Sequence, residues 1–176
     1  MLKRVRKLQK DVWILLYLYV NNCKPIKGYT NIQAIFFIYD LLGFKYELGP
    51  VGPYSKEVEE CVLRLQQMGL IKVLNFSDIR LYTLTERGRK FAEDLVKRIE
   101  DEYILLNEVV VMKGKEVIKD LTKLKLSLSD KSSSYLVYKC LLKLADNINP
   151  YFSRKLSPLE WIYLNETLET LKKIMK

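Results

Sequence analysis

The sequence predicts a mainly α protein with one small β-hairpin. Three observations lead to that class. Apolar residues recur at three- and four-residue spacings over most of the chain, the period of helices with one buried face. A single stretch, 70–84, reads instead as two short strands around a polar tip. The 176 residues are 49% hydrophobic, which is enough for a core. No apolar run reaches the roughly 18 residues that a membrane span takes.

Taken in order, the first element is a helix over 2–22. Val5, Leu8, Val12, Leu15 and Tyr19 form one apolar stripe, and Trp13, Leu16, Tyr17 and Val20 cover another side. Its first half is a basic arm of Lys3, Arg4, Arg6, Lys7 and Lys10, opposed by Asp11. The arm either lies along a phosphate backbone or is the solvated end of a helix. Basic residues followed by an apolar run also resemble a leader, but no small-residue cleavage site follows, so the expectation is a soluble intracellular protein. Pro25 and Gly28 break the chain before a second helix over 32–42, apolar on nearly every side. A helix of that kind is covered on more than one face, by C-terminal helices folding back or by a second subunit.

The stretch 43–54 reads as a long turn. Ser55 then stands as N-cap of a helix to about Met68, with Val58, Cys61, Val62 and Leu65 as its buried stripe and Gly69 as a left-handed C-cap. Strands over 70–74 and 80–84 flank the tip Asn75-Phe76-Ser77-Asp78. Thr85 caps the next helix. The spacing of Ala92, Leu95, Val96, Ile99, Tyr103, Leu106 and Val110 extends that helix to about Met112, roughly 40 Å in length. A short helix over 116–126 turns Val117, Leu121 and Leu124 inward. A Ser-rich linker, 127–134, precedes helices over 135–147 and 159–173. The last opens on Ser157-Pro158-Leu159-Glu160, a capping box with proline at the first helical position.

A helix ending in Met68-Gly69-Leu70-Ile71, then a hairpin, then Leu84-Thr85-Glu86-Arg87-Gly88 resembles the third helix, wing and following helix of a winged helix-turn-helix domain. Gly52, Pro53, Tyr54, Ser55, Leu65, Gly69 and Leu70 are similar to a motif in an uncharacterised group of bacterial and archaeal winged-helix proteins. The resemblance covers roughly residues 8–100. It implies a winged-helix domain over 1–85, a dimerisation segment over 86–126 and a helical C-terminal extension over 127–176. It also implies double-stranded DNA as partner, read by a dimeric transcription regulator. Lys56, Arg64 and Gln67 would then enter the major groove, and Lys72 and Arg80 would serve from the wing. Lys3, Arg4, Arg6, Lys7, Lys24 and Lys27 would hold the backbone. Leu95, Ile99, Tyr103, Leu106 and Val110 would form a two-fold helical seam.

Charge points the same way, since 30 basic against 21 acidic side chains give a formal charge of +9. Such an excess suits phosphate-bearing partners. Glu57, Glu59 and Glu60 on the third helix oppose it. Three carboxylates beside a phosphate-lined groove are repelled, which favours the rival reading of a module that binds another protein. The chain has no histidine, so Ser-His-Asp and Cys-His catalysis are excluded. Cys23, Cys61 and Cys140 are scattered without a paired spacing, and no cofactor motif is present. Neither enzymatic activity nor a cofactor is expected.

Overall fold

The computed structural model describes residues 5–146 and 155–174. The fold is mainly helical with several small β elements. Strand β1 (Val5–Lys7) leads into helix α1 (Lys10–Cys23), followed by β2 (Ile26–Lys27), α2 (Tyr29–Ile38) and a 3-10 turn at Asp40–Leu42. A hairpin of β3 (Glu47–Gly49) and β4 (Gly52–Tyr54) precedes α3 (Lys56–Gln67). A second hairpin, β5 (Ile71–Phe76) and β6 (Ile79–Leu84), runs into α4 (Glu86–Ile99). A third, β7 (Tyr103–Leu106) and β8 (Val110–Lys113), leads to α5 (Gly114–Leu128), α6 (Ser133–Ala145) and α7 (Pro158–Ile174).

Two three-stranded sheets have the orders β1-β7-β8 and β2-β6-β5. In the second, Ile26 pairs with Tyr82 and Lys27 with Leu81, so the strand before α2 edges the hairpin after α3. Gly28 N, donating to Arg80 O at 2.7 Å, fastens the start of α2 to the same hairpin.

The core forms around α1. Trp13, Ile14, Leu15, Leu16, Tyr17 and Leu18 are all buried, because α3, α4 and α5 each pack against this helix. Regular helix stops at Tyr19: Asn21, Asn22 and Cys23 have φ of 55°, 54° and 56°, in the left-handed region. Two carbonyls at this end, Leu18 O and Val20 O, each accept a hydrogen bond from Lys125 Nζ at 2.8 Å. On the other side, α6 packs along α2, with Cys140 Sγ 3.5 Å from Ala34 O and Lys143 Nζ donating to Ile38 O. Of the two ways to cover the apolar second helix, the chain uses its own C-terminal helices. A single cluster of buried residues runs from Trp13 to Leu164 and draws on all three expected segments.

Several expectations hold at the level of the element. Ser55 Oγ accepts Val58 N at 3.3 Å, Gly69 has φ of 64°, and Thr85 Oγ1 accepts Gly88 N at 3.0 Å. The Ser157–Glu160 box closes reciprocally, with Ser157 N donating to Glu160 Oε2 at 2.8 Å and Glu160 N to Ser157 Oγ at 3.3 Å.

Three expectations are corrected. The N-terminal helix does not begin at residue 2: Val5–Lys7 is a strand, paired in parallel with β7 from Val5↔Tyr103 to Lys7↔Leu105. Lys3 and Arg4 lie outside the described residues. The long turn before α3 contains a hairpin, with Leu48 opposite Pro53. The long helix after the β5–β6 hairpin ends at Ile99, and 103–113 is a third hairpin. Leu95, Ile99, Tyr103, Leu106 and Val110 therefore share no helical stripe. Leu95, Ile99 and Leu106 are buried in this chain's own core, while Tyr103 and Val110 stand on β7 and β8. No helix among the described residues is long and apolar enough to cross a membrane.

Candidate nucleic-acid interface on helix α3 and its hairpin

The position of α3 is fixed through one glutamine of α2. Gln33 Oε1 accepts Ser55 N at 2.9 Å, and Gln33 Nε2 donates to Ser55 O at 3.1 Å and to Tyr29 Oη at 2.6 Å. Gln33 is 4% exposed, so the residue that caps α3 is clamped from both sides of its peptide inside the protein.

The acids of α3 point in three directions. Glu57 turns toward the start of α1, where Glu57 Oε2 accepts Lys10 Nζ at 2.7 Å and Lys45 N at 2.9 Å. Burial alone would raise the Glu57 carboxyl, but those two hydrogen bonds bring it below its usual range. Lys10 is itself oriented by Gly43 O at 2.9 Å and by the Phe44 ring at 5.3 Å. Glu60 is solvated, 3.9 Å from Lys56 one turn earlier. Glu59 faces the hairpin and accepts the Tyr54 hydroxyl, a bond that pushes the Tyr54 pKa up to about 12.

Between α3 and the β5–β6 hairpin lies an open cleft of about 390 Å³. Tyr29, Glu59, Leu63, Gln66, Asn75, Arg80 and Tyr82 line it, with Val62 and Val73 beneath. The Tyr29 and Tyr82 rings stand 6.3 Å apart at 46°. Burial raises the pKa of both, and for Tyr82 the approach of Arg80 opposes the rise. The turn is Ser77-Asp78, with Ser77 at φ 51°, and the strands run closer to the tip than their sequence suggested. Phe76 pairs with Ile79 there, at 59% and 50% exposure.

The residues expected to touch DNA divide accordingly. Arg80 lines the cleft, Gln67 is exposed on the outer side of α3, and Lys72 is exposed on β5. Lys56 is exposed beside Glu60. Arg64 is drawn to the flank: its Nε lies 3.2 Å from Asp11 Oδ2 and its Nη2 3.5 Å from Cys61 Sγ, although its side chain stays 53% exposed. Arg6 pairs with Glu102 at 2.7 Å and Lys7 with Glu108 at 2.8 Å, so both belong to the β1-β7-β8 corner. Lys24 pairs with Asp130, and Lys27 is exposed on β2.

Tyr29, Glu59, Leu63, Gln66, Asn75 and Tyr82 were missed as site residues. The signal for the strand members was available, since Arg80 and Tyr82 alternate on one face of a strand and Val73 and Asn75 face them across the ladder. Tyr29 gave no such signal, because its place depends on β2 pairing with β6. Among the described residues, histidine, cysteine, aspartate and glutamate do not gather in threes to hold a metal ion. Comparisons with protein-family models, with curated proteins and with solved structures find no match to this chain.

Proposed function

We propose that the chain is a winged helix-turn-helix protein that binds double-stranded DNA, with α3 presented to the groove and the β5–β6 hairpin as its wing. What carries the reading is connectivity: helix α1, edge strand β2, helix α2, helix α3 and hairpin β5–β6, with β2 pairing to β6. In that arrangement α3 is held by Gln33 and projects beside the hairpin, the placement that lets a recognition helix enter a groove while the wing meets the backbone. The acids are a weaker objection than they are in the sequence, because Glu57 is neutralised by Lys10 and Glu60 has Lys56 beside it. Gln67 and Lys56 remain for the groove, and Lys72 and Arg80 for phosphates.

A protein partner is the second reading. It is favoured by Glu59, which lines the cleft and accepts the Tyr54 hydroxyl, and by apolar side chains exposed nearby, Leu63 in the cleft wall and Phe76 and Ile79 at the hairpin tip.

The test is fluorescence anisotropy with duplex genomic fragments across a salt series. The double variant Lys72→Glu/Arg80→Glu should weaken binding at least about tenfold and lower the salt slope by about 2. Arg64→Ala, which removes a side chain held by Asp11, should change affinity by less than about threefold. Absence of wild-type binding at low salt would sink the DNA reading in favour of the protein partner.

A further inference from the structure

Strand β8 ends the sheet β1-β7-β8, so one side of its backbone faces away from β7. Gly114 N donates to Glu102 O at 2.9 Å, which makes these two residues a hydrogen-bonded pair continuing the β7–β8 register. Such pairs alternate along an antiparallel ladder. The backbone groups of Val110 and Met112 therefore turn toward β7, and the N–H and C=O groups of Val111 and Lys113 point outward. We propose that this edge is a dimerisation surface, on which β8 of a second copy of the chain lies antiparallel about a two-fold axis at Val111.

The first support is the make-up of the edge. An edge strand is ordinarily guarded by charge, proline or a bulge against pairing with another chain. Val109-Val110-Val111-Met112 has no such guard, and Val109 and Val111 are 81% and 47% exposed. Strand β5, which ends the other three-stranded sheet, carries Lys72 and Asn75 within its length.

The second support is charge, and it selects the occupant. Glu108 precedes the apolar run, and Lys113 and Lys115 follow it; all three are exposed. A two-fold axis at Val111 sets Val109 opposite the second copy's Lys113, and Glu108 opposite the second copy's Gly114. Each Glu108 then stands between two lysines of the other chain, while keeping its own Lys7 at 2.8 Å. Parallel pairing in register does the reverse, setting Glu108 on Glu108 and Lys113 on Lys113, which repel. The edge thus complements itself, and in one direction. The reciprocal contact is what a two-fold interface takes.

In the dimer each Val111 exchanges two backbone hydrogen bonds with its twin, and two three-stranded sheets become one of six strands. The contact is short, so the dimer belongs to the small, transient class of interfaces and dissociates on dilution. The hairpin that replaces the expected helical seam carries this edge.

The test is sedimentation velocity of the full chain at low salt, from micromolar to millimolar concentration. Wild type should pass from monomer to dimer over that range. Val111→Glu and Val111→Lys should each remain monomeric with an unchanged thermal transition, because the side chain at 111 is half-exposed. An equimolar mixture of the two variants should associate again, since opposite charges then meet at the axis. Wild type that stays monomeric throughout would overturn the proposal and leave the edge to a strand of another protein. A dimer that Val111→Glu does not loosen, or a mixture that fails to associate, would overturn it as well. The proposal does not rest on the DNA reading, and no DNA enters its test.

Discussion

At the scale of the residue, Lys125 is the most unusual group in the protein. It is fully buried, on the inward face of α5 in line with Val117 and Leu121, while Leu126 beside it is 61% exposed. Apolar spacing alone assigns that inward place to Leu124, because a lysine is never counted as core. The structure needs the amine there, since α1 ends in a left-handed turn that strands Leu18 O and Val20 O inside the protein. A neutral amine still has two N–H donors for those two carbonyls. Burial lowers the Lys125 pKa from its ordinary 10.5 to about 7, with Cys23 opposing and Lys24 assisting. The folded-state value lies below the unfolded one, so above pH 7 the unfolded chain binds the extra proton and stability rises with pH. The rise should run from pH 7 toward 9, beyond which Cys140 and Tyr39, both held to about 12 by burial, reverse the trend. Urea melts at pH 7, 8 and 9 should show the climb in wild type and its loss in Lys125→Met.

At the scale of the element, the α3–hairpin unit was legible and the segment after it was not, for one physical reason. In 55–85 each local signal agrees: cap, stripe, left-handed glycine and alternating strands. In 95–112 the apolar residues fit a three–four spacing by coincidence, while 103–106 is an unbroken apolar run whose burial alternates, with Ile104 and Leu106 as the buried pair. The turn that decides between them is Asn107-Glu108, with φ of 40° and 70°. Asparagine tolerates that conformation but does not announce it as glycine does. The cleft was legible only in part, since Tyr29 reaches it only through the pairing of β2 with β6. Two helix starts are built against backbone: a Cβ on Gly88 would meet Leu70 O at 1.9 Å, and one on Gly114 would meet Ile99 O at 1.8 Å. Elsewhere the joint is a hydrogen bond, and Gln33→Leu should destabilise by about 1–3 kcal/mol by leaving Ser55 N buried and unpaired, while Ser55 O keeps Glu59 N. Chemical denaturation measures that loss, and a change under about 0.5 kcal/mol would mean that water or rearrangement replaces the amide.

At the scale of the whole molecule, the C-terminal helices are part of the core rather than an appendage. Phe36 and Phe37 on α2 are completely covered, with α6 along one side and the hairpin β3–β4 near its start. Tyr163 of α7 donates to Pro50 O at 3.1 Å, so the last helix reaches the tip of that hairpin. A chain truncated at Leu128 would expose the α2 surface that Leu136, Cys140 and Leu144 cover. The expected result is self-association on size-exclusion chromatography and loss of a cooperative thermal transition. A monomeric truncation with a sharp transition would show that the segments before Leu128 fold alone. The apolar excess of the second helix foretold a cover, and only the topology could say that the cover comes from the same chain.

The parallel pairing of Val5 with Tyr103 places the two ends of a very large loop side by side. Strand β1 is the first described segment to leave the ribosome and yet lacks its partner until most of the remaining sequence has been made. Hairpins β3–β4 and β5–β6, by contrast, pair residues only a few positions apart. Assembly is therefore expected to begin near the β5–β6 hairpin and finish at the N-terminal strand, the step with the longest closure distance.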